Sequence, residues 1–235
     1  MTVAEFIKQH PKAGPILTAA HIDYCCGGKQ PLEQACAKSG IRVEDLLKRV
    51  EDSEQTKTAV PFNQLEMLSA SELCNFIENN HHHYLNDFFP QILPLTEKLI
   101  NRHGPENPYL YEIHELMIGA AEELSVHMKK EELILFPAIK KMEQAVEAKQ
   151  HLDAMHFGSI ANPITMMESD HSQEGERLEK LSKITNNFVP PPQACNTWKT
   201  VYQMLEEFRN DMLNHVFSEN HILFPKAVHL EKQLN

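Results

Sequence analysis

One pattern occurs twice in this chain, and it restricts the fold more than any other feature. His127-Met128-Lys129-Lys130-Glu131 and His215-Val216-Phe217-Ser218-Glu219 each set a histidine four residues before a glutamate. Leu-Phe-Pro follows each at the same distance, as Leu135-Phe136-Pro137 and Leu223-Phe224-Pro225. Residues four apart on a helix share a face, with Cβ atoms about 6 Å apart, so both side chains of a pair reach one site. Two such pairs in matching contexts predict a duplicated helical scaffold around a metal centre.

The periodicity supports helices throughout the larger part of the chain. Ser69-Ala70-Ser71-Glu72 is a capping box opening a helix that runs to about residue 101. His103-Gly104-Pro105 and Asn107-Pro108 end it. A second helix is expected over 109–148, perturbed at Pro137, and Leu110, Ile113, Leu116, Met117, Ala120 and Leu124 give it an apolar stripe. A third is expected over 164–185, and Pro190-Pro191-Pro192 separates it from a fourth that starts near Ala194 and passes Phe224. No strand-like alternation competes, so the fold class is all-α: an up-down four-helix bundle over 65–235. Residues 1–55 read as a small helical N-terminal domain, with helices over 31–38 and 43–50, a turn at 11–14 and a polar linker at 51–58. So short a unit has a marginal core and is expected to dock on the rest.

If helices two and four carry the repeated pairs, helices one and three must supply the facing ligands. Helix three offers His171, in Glu168-Ser169-Asp170-His171, and helix one offers the run His81-His82-His83. His82 precedes His127 by 45 residues and His171 precedes His215 by 44, as two equivalent hairpins would require. His82 shares its stripe with Leu85, Phe89 and Leu93, whereas His83 lines up with Asn86 and Asp87 and faces water. His82 is therefore the choice, with His81 still an alternative. The expected metal ligands are His82, His127, Glu131, His171, His215 and Glu219. Imidazole and carboxylate without thiolate suit iron or manganese over zinc or copper(I). A carboxylate has two oxygens with which to bridge two cations. Glu132 and Glu168 stand beside ligands and are either surface charges or partners that orient a histidine.

A second signal is Cys25-Cys26-Gly27-Gly28. A disulfide between adjacent cysteines is strained and easily reduced, so the pair suits a thiol redox switch or a transient metal ligand, or else is simply a tight turn. Cys36, Cys74 and Cys195 stand alone. The odd cysteine count fits a reducing compartment, and no signal peptide or run of ~18 apolar residues occurs, so a cytoplasmic location is expected. The formal net charge of −11 argues against nucleic acid or an anionic membrane as partner.

These residues resemble a known family. Asp23-Tyr24-Cys25-Cys26-Gly27-Gly28-Lys29-Gln30 is similar to the N-terminal signature of the Repair of Iron Centres family, the YtfE and ScdA type. The stretches 127–137, 166–171 and 215–225, and Pro190-Pro191-Pro192 with Ala194-Cys195 and Thr197-Trp198-Lys199, resemble its haemerythrin-like part. The resemblance implies a haemerythrin-like bundle with two non-haem iron ions, oxo- or hydroxo-bridged when oxidised, on the six residues above. It also implies repair of iron–sulfur clusters damaged by nitric oxide or peroxide, with iron donation as the means and the damaged proteins as partners. The alternatives are nitric oxide reduction at the di-iron centre, and a module that binds or senses dioxygen or nitric oxide. A monomer or homodimer is expected. The 144–162 stretch looks longer than is usual in the family and has no assigned role.

Overall fold

The computed structural model describes residues 1–10, 13–53, 62–153 and 155–234. Most of the expected linker at 51–58, the boundary at residue 55 and part of the turn at 11–14 lie outside them. The described residues hold helices and no strand, only the isolated bridges Thr2–Pro31 and Met155–Gly158. The helices are α1 (Val3–Gln9), α2 (Gly14–Ala19), α3 (Leu32–Lys38), α4 (Val43–Ser53), α5 (Phe62–Leu65), α6 (Ala70–Ile77), α7 (His83–His103), α8 (Tyr109–Lys130), α9 (Phe136–Ala148), α10 (Ala161–Ile184), α11 (Asn196–Ser218) and α12 (Phe224–Leu234).

Three of the expected long helices are interrupted by a π-turn: Glu78–His82, Glu131–Leu135 and Glu219–Leu223. Backbone dihedrals stay helical on both sides of each. A π-turn takes one extra residue and rotates the following face, and such turns concentrate at functional sites. Pro137 and Pro225 each follow a π-turn by two residues and bring no N–H to the helical ladder. The expected disturbance at Pro137 is therefore the turn ahead of it. The Glu78–His82 turn also explains why His81 and His82 are both buried although they are consecutive.

The chain forms two compact units, residues 1–74, 139–161 and 213–235, and residues 75–138 and 162–212. In the first unit, α1 opens with a capping box in which the Thr2 hydroxyl accepts from the Glu5 N–H and the Glu5 carboxylate from the Thr2 N–H. Val3, Phe6 and Ile7 of α1, Leu17 of α2 and Leu46 of α4 are wholly buried. Phe62 of α5 packs on Phe217 with ring centroids 4.4 Å apart. The capping box at Ser69 forms as expected and is reinforced across the unit. The Glu143 carboxylate accepts the N–H of Ala70 at 2.8 Å and of Ser71 at 2.9 Å, and the Ser69 hydroxyl at 3.1 Å. A negative charge there also complements the positive end of the α6 dipole. The 149–160 loop is tied down by Glu231, which accepts from the Ser159 hydroxyl and the Ile160 N–H.

In the second unit α8 and α10 run antiparallel. Glu112 faces Lys180, Glu123 faces Arg177, and His127 faces Asp170 and His171. Residues 196–212 of α11 are likewise antiparallel to α7 with its preceding π-turn, from Trp198 against His103 through Phe208 stacked on Phe88 to Asp211 at His81. The wholly buried Trp198, Phe208 and Leu205 fill that contact.

Candidate metal centre

The second unit brings four of the expected ligands together. Each HxxxE pair stands at the end of its α-helix, with the glutamate opening the π-turn. Glu131 has no exposure at all, and His82, His127 and His171 are at most 3% exposed. Its two oxygens divide between histidines: Oε2 lies 3.3 Å from His82 Nε2 and Oε1 lies 3.3 Å from His127 Nε2. His171 Nε2 completes the cluster at 3.2 Å from His127 Nε2. One carboxylate thus links one imidazole on one side and two on the other.

Outer carboxylates fix the rings. Glu132 Oε1 stands 2.7 Å from His82 Nδ1 and Asp170 Oδ2 stands 3.1 Å from His127 Nδ1. An ionised carboxylate only accepts, so each Nδ1 carries a proton, and Nε2 is the ring atom left facing Glu131. Burial alone would raise the Asp170 carboxyl, but Lys130 at 2.9 Å and His127 outweigh it and hold the group below the ordinary carboxylate range. His81 belongs to a different arrangement, with Nδ1 2.8 Å from Asp211 Oδ1. Of the two candidates in the histidine run, His82 is the one beside Glu131.

The first unit holds the other repeat. His215 Nε2 lies 3.0 Å from Glu219 Oε1, and neither side chain has any exposure. Asp23, Cys25 and Cys26 also converge there. The Asp23 carboxylate accepts the N–H groups of Cys25, Cys26 and Gly27 at 2.8–2.9 Å and lies 3.1 Å from Cys25 Sγ. The two sulfurs are 3.8 Å apart and no disulfide joins them. Cys25 is buried and Cys26 half-buried. Contact with the Cys26 thiol, then burial, then the Asp23 charge all push the Cys25 thiol well above its ordinary range.

The donor sets fit a cation. A fully buried carboxylate costs several kcal/mol unless compensated, and the Nε2 lone pairs of neutral imidazoles repel it and each other unless a cation lies among them. Neutral imidazole with carboxylate is a set for divalent transition metals. A cavity of about 310 Å³ opens beside this cluster, lined by His127, His171, Glu123, Lys130, Asp170 and Glu174. Glu174 is buried, and that burial carries its carboxyl up to about 7 against the pull of Arg177 at 2.7 Å.

Comparison with known proteins places this geometry. Residues 77–227, which contain all six expected ligands, match the hemerythrin HHE cation binding domain. Residues 1–54 match a domain of unknown function (DUF542, ScdA_N). The iron-sulfur cluster repair proteins YtfE of Shigella boydii serotype 4 (strain Sb227) and Escherichia coli O8 (strain IAI1) are each 34% identical over 220 residues, which cover 93% of this chain and 92% of theirs. The chain belongs to the YtfE family. The expected all-α, haemerythrin-like fold with a helical N-terminal domain is therefore established, and the buried histidine–glutamate cluster can hold a metal ion. No helix among the described residues is long and apolar enough to cross a membrane.

The sequence did not single out Asp170 or His221 as contributors. Asp170 immediately precedes His171, which was the available signal. His221 is buried and bonded to the backbone of the cysteine segment, 196 residues away.

Proposed function

We propose that this protein holds two non-haem iron ions and repairs iron–sulfur clusters damaged by nitrosative or oxidative stress, donating iron to the damaged proteins. The observation that carries the reading is the buried Glu131 carboxylate shared among the Nε2 atoms of His82, His127 and His171. The six ligands are these four with His215 and Glu219, whose pair repeats the sequence and the π-turn of His127 and Glu131. Glu131 and Glu219, with two oxygens each, would hold the ions together with the imidazoles. Iron supplied by such a centre is exchangeable, because carboxylate and imidazole hold ferrous iron less firmly than thiolates do.

The chain's own residues suit release. The acidic lining of the cavity beside His127, with Glu122, Glu123 and Asp170, attracts cations. The iron-sulfur cluster repair named for the YtfE relatives ranks nitric oxide reduction second. Asp170 and Glu132 hold the proton on Nδ1 of His127 and His82 and so orient Nε2 as the ligating atom. Cys25 and Cys26 are the thiols to which iron passes, or through which a client is engaged. The names of the YtfE relatives support the assignment of task.

The test mixes the ferrous protein anaerobically with an iron–sulfur enzyme whose cluster has been damaged by nitric oxide, and follows the return of enzyme activity. Recovery is expected with wild type and not with E131A. Recovery that is equal in both would refute iron donation from this site. Nitrous oxide formed on a turnover timescale by the reduced protein would instead favour the second reading.

A further inference from the structure

The cysteine segment is held by a contact that iron binding does not require. His221 Nε2 donates to the Cys25 carbonyl at 2.6 Å, and the imidazole packs on Phe217 with centroids 4.9 Å apart. Gly28 fits against the same ring. A Cβ there would stand 2.5 Å from His221 Nε2 and 2.5 Å from the Tyr24 carbonyl oxygen, so no larger residue fits without displacing one of them. Tyr24 packs on Phe217 at 5.9 Å, and its hydroxyl donates to Asn214 Oδ1 at 3.3 Å. All these contacts fall on residues 214–221, the stretch that carries His215 and Glu219. His221 itself sits inside the π-turn that Glu219 opens.

We propose that His221 is a latch on the thiol pair. Its bond to the Cys25 carbonyl, with Gly28 closed against the ring, keeps Cys25 buried and leaves Cys26 as the presented thiol. Cys25 becomes available only when the segment lifts from His221. Asp23 holds the turn together from within, so the segment moves as a unit when the latch opens. Because Glu219 and His221 share one π-turn, a cation on Glu219 stiffens the turn and tightens the latch, while loss of the cation loosens it. Thiol exposure then follows iron loss. This last step rests on the proposed iron site, whereas the latch contact itself does not.

The test is site-resolved alkylation by iodoacetamide on the full chain, read by peptide mass spectrometry without oxygen, both metal-free and after ferrous loading. Exposed Cys195 serves as the reference. A buried neutral hydrogen bond shifts an opening equilibrium by a factor of about five to ten. Wild type is expected to label Cys26 faster than Cys25 by about that factor or more. H221A and G28A should bring the Cys25 rate up to that of Cys26, and H221Q, whose amide can still donate, should retain most of the protection. Ferrous loading should slow Cys25 in wild type and leave it unchanged in H221A. Far-UV circular dichroism checks that each variant is folded, and G28A carries the test if H221A is not. A slow Cys25 in folded H221A or G28A overturns the latch, as does H221Q exposing Cys25 as fully as H221A. Iron content measured on the same samples separates the two ideas. Protection that depends on His221 in a protein that binds no iron would keep the latch and remove the iron site.

Discussion

Removing Glu132 tests whether the carboxylates behind the histidines set metal affinity. Glu132 Oε1 lies 2.7 Å from His82 Nδ1, while His82 Nε2 faces Glu131. Loss of the acceptor frees the ring to exchange tautomers and to turn. Partners of this kind are worth about 10–100-fold in metal affinity, or ~1.4–2.8 kcal/mol. The Glu132 side chain is 38% exposed, so solvent screens part of its charge and the lower half of that range applies. E132A should therefore weaken ferrous iron binding by about 10–30-fold. E132Q keeps an acceptor oxygen without the charge and should lose about three- to tenfold. The assay is anaerobic competition against a chromophoric chelator, with the exposed Glu97→Ala as control. In the metal-free protein, nitrogen NMR of His82 should show the Nδ1-protonated tautomer in wild type and a mixture in E132A. An affinity for E132A within about twofold of wild type, with the tautomer ratio unmoved, would refute the orienting role.

Other outcomes follow from the same contacts. Iron content of about two per chain should fall sharply in E131A and in E219A. H82A should lose iron, while H81A should keep it and instead destabilise the fold through the Asp211 contact; equal iron loss would reopen the choice between them. Iron should also leave as the pH drops from roughly 7 to 5, since the imidazoles must be deprotonated to bind it. E143A should cost about 1–2 kcal/mol by uncapping α6, a fall of ~2–8 °C in Tm for a chain this size, measured on metal-free protein. Burial acts to raise the Glu143 carboxyl, but the bonds from Ser71, Ala70 and Ser69 prevail and its folded-state pKa is lowered. Its contribution is therefore present above the unfolded carboxylate pKa and disappears as the pH falls through the lower folded value, so wild type and E143A should converge in acid.

What could be read from the chain was what a helix encodes locally. His127 with Glu131 and His215 with Glu219 are four apart, so their meeting on one face needs no knowledge of the fold, and in the structure each pair does meet. Near-equal spacing to His82 and His171 then pointed to the facing helices. The phase argument for His82 worked less cleanly, since it assumed an unbroken α-helix. The Glu78–His82 π-turn adds a residue and buries His81 as well. Pro137 announced that a hydrogen bond would be missing, but not that the ladder would widen ahead of it, because the place where an extra residue is absorbed depends on tertiary packing. Glu132 and Asp170 were visible only as neighbours of ligands. A helix turns about 100° per residue, so a neighbour points away from its own site, and only another helix decides what it meets. His221 lies beyond any such pattern. The signals around it, His215 with Glu219 and the following Leu223-Phe224-Pro225, speak for the metal pair and not for His221, and the Cys25 carbonyl it bonds stands 196 positions away. Backbone carbonyls carry no sequence signature, so a latch built on one is silent until the fold is known. Its one local trace is Gly28, and that glycine reads as turn flexibility until His221 is found in the space its side chain would need.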